Sequence, residues 1–345
     1  MRSTVGSCRP VPQPYPSVVF ALMRIAVAGS IATDHLFTFE GRFADSLLVE
    51  QLASISLSFL ASDLQVRRGG TGANIAFGMG VLGHRPLLVG AVGSDAGDYL
   101  TWLQEHGVDT STVRTSSEKA TARFTCTTDL DHAQLATFYP GAMSEAAQID
   151  IAELGALDLV VIAPDDPDAM LRHSASCRER SVPFAADPSQ QLAFMDGEAI
   201  RGLVDGATYL FTNAYEAQLV HEKTGWDHEE VLSRVGTRVV THGADGIVIS
   251  RRGEADITVP VAPARELAEP TGVGDAFRAG FLTATAWGLS LERAAQVGAM
   301  LATHVVETVG TQEYSFTQQD FLARFTEAYG AAAAAEVGLH LGTDH

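Results

Sequence analysis

The sequence predicts an α/β protein: a mainly parallel sheet with helices on both faces, and a small β-sheet lid inserted into it. Three observations carry this prediction. From about Asp150 onward, short apolar runs alternate with helical stretches, the pattern of a parallel sheet covered on both sides. Two strand-rich segments, about 36–66 and 118–142, break that alternation and read as the lid. The 345 residues, 46% of them apolar, suffice for one large domain with an accessory element, or for two domains.

Residues 1–23 are proline-rich, and their apolar run from Val18 to Leu22 is short for the core of a signal peptide. A disordered extension is expected there, followed by one domain over 24–338 and a frayed tail over 339–345. Arg24–Ala28 reads as a buried strand leading into a loop that carries Asp34. In the first lid segment, SLSFL (56–60) is apolar enough to form an exposed face. A glycine loop, Arg68 to Asn74, opens a helix expected over 73–82. LLVGAVG (87–93) reads as one buried strand, and DYLTWLQEHGV after it has helical spacing. Further strands are expected at 157–163, 182–187, 207–213, 237–243 and 246–250, with helices over about 165–180, 192–204 and 214–235.

Net charge is −19 and no Lys/Arg run occurs, which sets aside nucleic acid and anionic membranes as partners. No apolar stretch reaches the roughly 18 residues of a membrane span. The three cysteines, Cys8, Cys126 and Cys177, have no metal-ligand spacing and form no disulfide framework, so a reducing cytoplasm is expected. A P-loop, a zinc-binding H-E-x-x-H and a nucleophile elbow are all missing. Gly70-Thr71-Gly72 is only a partial dinucleotide motif.

The segment carrying the most chemistry is Glu269-Pro-Thr-Gly-Val-Gly-Asp275-Ala-Phe-Arg-Ala-Gly-Phe281. Phe277, Phe281 and Ala284 recur at helical spacing, so a helix begins near Asp275. A glycine loop running into a helix start aims several backbone N–H groups at one point, an anion hole aided by the helix dipole. Gly272, Val273 and Gly274 would form it and stabilise charge on a transferring phosphoryl group. Asp275 beside them can accept the proton of an attacking hydroxyl. The plainer alternative is a glycine turn with Asp275 as a helix cap.

TGVGDAFRAGF resembles the second signature of the ribokinase-like (PfkB) carbohydrate kinases, with Pro270-Thr271 and Val273 as departures from the usual form. Gly69-Gly70-Thr71-Gly72-Ala73-Asn74 resembles the first. The resemblance spans about Arg24 to Gly310. It implies a ribokinase-like three-layer α/β core, with Asp34 gripping sugar hydroxyls and Asn74 binding the ribose. It places Asn213 and Glu216 by the phosphates, Glu216 with an indirect link to Mg²⁺. It sets Thr241, Gly243 and Gly246 along the ATP site. Motifs at the carboxyl ends of parallel strands converge on one sheet edge.

The lid must then choose the acceptor. Phe124 and Phe138 suit a planar base, or they simply fill the lid core. GSIATDHL, SLSFL, TARFTCTTD, FYPGAMSEA, FAADPSQQL and GTQE together resemble adenosine kinases of actinobacterial type. That resemblance implies Ser30, Asp34, Ser58, Gly70 and Asn74 on the ribose side, and Phe124 and Phe138 flanking the base. Gln190 and Gln191 would lie near the nucleoside. It implies adenosine and ATP as substrates, Mg²⁺ with the ATP, K⁺ as the monovalent ion the family often uses, and a homodimer through the lid. Ribokinase or another sugar kinase is the alternative.

Overall fold

The structure, a computed structural model, describes residues 23–46 and 57–341. Residues 1–22 (the expected extension, with Cys8), 47–56 of the expected lid and 342–345 of the expected tail lie outside the described residues.

The main sheet has eight strands: β1 (Ile25–Ala28), β4 (Leu87–Val89), β9 (Leu159–Ile162), β10 (Phe184–Ala186), β11 (Tyr209–Asn213), β12 (Thr237–Thr241), β13 (Ile247–Ser250) and β14 (Ile257–Val259). Their order is β4-β1-β9-β10-β11-β12-β13-β14. The first six are mutually parallel, and β13 and β14 add antiparallel at one edge. Alternate residues of β1 feed two separate cores. Ile25 and Val27 pack with Phe77, Phe281, Leu301 and Phe321, whereas Ala26 and Ala28 pack with Met170, Ile200, Val220 and Val231. A strand buried on both faces must be apolar throughout, which is why these runs were legible. On the first face lie α2 (Thr71–Val81), α3 (Gly97–Glu105), α8 (Val273–Ala286), α9 (Leu291–Val306), α10 (Gln318–Tyr329) and α11 (Ala331–Gly338). On the second lie α4 (Pro167–Arg180), α5 (Gly197–Val204), α6 (Ala214–Thr224) and α7 (His228–Arg234).

The lid is a four-stranded sheet, β3 (Ala61–Gly69), β2 (Ala32–Phe39), β7 (Ala122–Thr128) and β8 (Gln134–Tyr139), in that order, with the short α1 (Phe43–Ser46) after β2. β2 pairs antiparallel with β3 and parallel with β7, and β8 pairs antiparallel with β7.

Several boundaries differ from the sequence reading. LLVGAVG is two strands: β4 stays in the main sheet, while β5 (Ala91–Gly93) leaves it to pair with β6 (Arg114–Ser116). α2 starts at Thr71, two residues early, because the Ser30 hydroxyl and carbonyl accept from the Thr71 and Ala73 N–H groups. The expected helix 192–204 is a 3₁₀ turn, Ser189–Ala193, followed by α5, whose N-cap Asp196 accepts from the Ala199 N–H. The expected helix 214–235 is broken into α6 and α7 by left-handed Gly225. Of SLSFL, Phe59 packs on Phe39 and Phe43, whereas Leu57 and Leu60 are 38% and 89% exposed. The exposed apolar face comes from Leu64, Val66, Leu135 and Tyr139, which are 46–58% exposed.

Candidate active site

The glycine loop runs into the start of α8, where the anion hole of Gly272, Val273 and Gly274 is expected; of these, Val273 turns its N–H to the Pro270 carbonyl at 3.4 Å. Gly272 caps the helix in the left-handed conformation, with φ +80°, and a Cβ there would lie 2.8 Å from the Thr311 methyl. The first backbone bond into the helix runs from the Ala276 N–H to the Gly272 carbonyl at 2.9 Å. The N–H groups of Gly274 and Asp275 have no acceptor among the described residues and remain for an anion. Gly274 leaves room for Arg278, whose Nη1 donates to the Gly274 carbonyl at 3.0 Å.

Asp275 sits in the first turn of α8. Burial pushes its carboxyl up to about 6, a hydrogen bond from Asn74 and the charge of Arg278 pull it down, and Glu216 raises it again. Asn74 Nδ2 donates to Asp275 Oδ2 at 2.8 Å. The first and second glycine motifs therefore meet, joined by side chains distant in sequence. Gly70, with φ +93°, admits no side chain: a Cβ would lie 2.5 Å from the Ser30 carbonyl oxygen. Ser30 Oγ accepts from the Thr71 N–H, leaving its hydroxyl proton to donate elsewhere.

Strand register explains the lid side. Asp34 pairs with Arg67 on β3 and Phe124 on β7, and Phe124 pairs with Phe138 on β8. Residues directly opposite share a face, so these four form one row across the sheet. Arg67 Nη1 lies 2.6 Å from Glu269 Oε2, just before the anion hole, so the face bearing the row is turned toward that hole. The Asp34 carboxylate lies against Gly69, and burial lifts it to about 6, opposed by Arg67 and aided by Glu269.

On the other side of Asp275, a cleft of about 660 Å³ is lined by all four expected ATP residues, Asn213, Thr241, Gly243 and Gly246, together with the anion hole. Val261, Ala299, Ala302 and Val306 give it an apolar wall suited to a base. Asn213 and Glu216 form a reciprocal cap: Asn213 Oδ1 accepts from the Glu216 N–H, and Glu216 Oε2 from the Asn213 N–H, both at 2.8 Å. The plain helix-cap reading of this motif therefore holds alongside its place in the cleft. With Glu216 so engaged, and no cluster of three or more metal-ligating side chains among the described residues, the protein offers no closed cage for Mg²⁺. These residues fit an ion carried mainly by phosphate oxygens and water, with Glu216 nearby.

Two functional side chains escaped the sequence reading. Asp187, after β10, is fully buried, and its Oδ2 lies 2.6 Å from Arg278 Nε. Arg278 Nη2 also lies 3.9 Å from Glu216. Burial lifts Asp187 to about 7 against the pull of Arg278, with Glu216 and Asp275 adding to the rise. One cation thus balances three carboxylates behind the anion hole. The only sequence signals were an aspartate closing an apolar strand and a lone arginine in an apolar helix. Three expected residues stand apart from the cluster. Ser58 is exposed beyond the distal end of β3, Gln190 is exposed, and Gln191 Nε2 donates to the Asp165 carbonyl at 2.7 Å.

A carboxylate beside a helix-start anion site at the sheet's carboxyl edge, with a nucleotide-sized cleft on one side and the Asp34 row of the lid on the other, defines a kinase site. Residues 46–318 match the pfkB family carbohydrate kinases, and the chain belongs to that family. The fold is that of the ribokinase family. A nucleoside kinase of Burkholderia thailandensis, solved in complex with inosine, superposes with a TM-score of 0.78 at 34% identity, covering 89% of this chain and 98% of that one. A nucleoside kinase of Methanocaldococcus jannaschii is 28% identical over 291 residues, 84% of this chain and 92% of the relative. The ribokinase of Bacillus subtilis is 25% identical over 298 residues, 84% of this chain and 95% of the relative. No helix among the described residues is long and apolar enough to cross a membrane.

Proposed function

We propose that the protein is an ATP-dependent nucleoside kinase that phosphorylates the 5′-hydroxyl of adenosine, giving AMP and ADP in purine salvage. The observation that carries this reading is the row of Asp34, Phe124 and Phe138 on the lid face turned toward the anion hole. A carboxylate for a ribose diol beside two rings for a base matches a nucleoside end to end. Phe138, 49% exposed, has no core to fill, so its ring is available to an acceptor.

Asp275 accepts the proton of the 5′-hydroxyl as its oxygen attacks the γ-phosphorus, and the bond to the bridging oxygen of ADP breaks. The N–H groups of Gly274 and Asp275, backed by Arg278, hold the charge on the transferring group. Mg²⁺ bound with ATP supplies further charge neutralisation, and K⁺ belongs to the same reading as activator.

The similarity to a nucleoside kinase solved with inosine favours a second reading, a 6-oxopurine nucleoside as the better acceptor. ADP release with adenosine, inosine, ribose and fructose, offered separately at equal concentration, tests both. Turnover with adenosine well above the others is expected. Inosine leading would move the specificity and keep the mechanism, whereas ribose leading would return Phe124 and Phe138 to the lid core. Omission of Mg²⁺ should abolish turnover, and replacing K⁺ by a bulky organic cation should lower it.

A further inference from the structure

The segment from Gly310 to Glu313 adds nothing to the lining of the ATP cleft, yet it touches Glu269, Gly272, Arg68 and Asn74 around the site. The Gly310 N–H donates to Glu269 Oε2 at 3.1 Å, the Thr311 methyl abuts Gly272, and Glu313 lies 3.8 Å from Arg68. Gln312, only 1% exposed, is its centre. Gln312 Nε2 donates to Asn74 Oδ1 at 2.9 Å and to the Tyr99 phenol oxygen at 2.6 Å. The Tyr99 hydroxyl donates onward to the Gly69 carbonyl at 2.7 Å, at the base of the lid.

Donor counting gives this chain one direction. The single phenol proton of Tyr99 is committed to Gly69, so its oxygen can only accept from Gln312. The second hydrogen of Gln312 Nε2 then needs an acceptor, and Asn74 Oδ1 is the one in reach. The Thr311 hydroxyl, 3.0 Å from Asn74 Oδ1 and from the Arg68 carbonyl, has one proton for two acceptors and is compatible with either orientation, so the direction comes from Gln312. The opposite flip of Asn74 would set oxygen against the Asp275 carboxylate and nitrogen against the Gln312 nitrogen.

We propose that Gln312 is a positioning residue of the reaction: it fixes the Asn74 amide so that Nδ2 faces Asp275, and through Tyr99 it ties that orientation to the lid base at Gly69. The proposal rests on the reading of Asp275 as the base of a nucleoside kinase. Gln312 acts through Asn74, because its own amide hydrogens are both engaged within the protein. The groups that face Asp275 are Arg278 on α8, Glu216 on α6, Asp187 after β10 and the Tyr314 hydroxyl. Beside them Asn74 Nδ2, at 2.8 Å, is the neutral donor hydrogen-bonded to the Asp275 carboxylate, and it favours the ionised base.

The test is an acceptor-free titration of the Asp275 carboxyl by ¹³C NMR in the full chain, its resonance assigned with Asp275→Asn. Gln312→Met removes both donors without adding charge, and Tyr99→Phe loosens Gln312 from the other side. In each variant that keeps the wild-type circular dichroism, the Asp275 midpoint should rise by about half a pH unit or more. The acid limb of kcat/KM for the nucleoside should move with it, at unchanged KM for ATP. An unchanged Asp275 midpoint in a folded variant would overturn the proposal and leave Gln312 as packing. Should the wild type turn over no nucleoside, the functional reading falls, but the titration still decides the role of Gln312.

Discussion

Asp275 shows how one side chain can serve both readings the sequence left open. It lies in the first turn of a helix, where a carboxylate favours the dipole, and in the proposed reaction it is also the base beside the anion hole. Because a general base must be ionised, and burial lifts Asp275 to about 6, kcat/KM should fall as pH drops through that value and level off above it. Asp275→Asn keeps the shape and the Asn74 contact but cannot take a proton. It should lower kcat by about 10²–10⁴-fold while leaving nucleoside binding by calorimetry within a few-fold. A comparable loss of binding would make Asp275 a binding group. Asp275 was legible because glycines before an aspartate leave a local pattern. Asp187, Arg278 and Gln312 were not, because each acquires its role from a partner far along the chain.

At the scale of elements, legibility followed burial. Central strands such as LVVI, covered on both faces, left unbroken apolar runs. Three-residue strands such as β6 and β14 left no period to read, and the long α9 and α10 sat in a region dominated by the anion-hole motif. The lid was recognised as β, but which strand residues share its outer face is clear only once the register is known. That outer face, opposite the Asp34 row, carries Leu64, Val66, Leu135 and Tyr139. We propose that it is covered by the same face of a second copy. Light scattering should return a dimer for the wild type and a monomer for the double variant Val66→Asp, Leu135→Lys. A monomeric wild type at micromolar concentration would remove the dimer.

At the scale of the whole molecule, buried ionisable groups of opposite sign shape the response to pH. Burial raises Asp165 to about 8 and Asp187 to about 7, so the folded chain holds these protons to higher pH than the unfolded chain does. Stability is therefore lost as pH rises through that window and regained as it falls. His84, His173 and His304 are each lowered to about 4 by burial, so from 6.5 downward the unfolded chain takes up protons that the folded chain refuses. The urea midpoint should rise from about pH 8.5 to about pH 6.5 and then flatten. A midpoint highest at the alkaline end would contradict these assignments. The lid obeys a different geometry. Its strands join the core at Ala32, Gly69 and Ala122, which stand opposite one another in the register. The acceptor-facing row lies two residues beyond that line, roughly 7 Å out at about 3.3 Å per residue, whereas Phe39 lies roughly 23 Å out. The lid is thus a lever whose load sits near the fulcrum. A swing of about ten degrees carries Phe39 through about 4 Å but the row through only about 1 Å. A swing that moves the tip would therefore leave the acceptor-facing row almost in place.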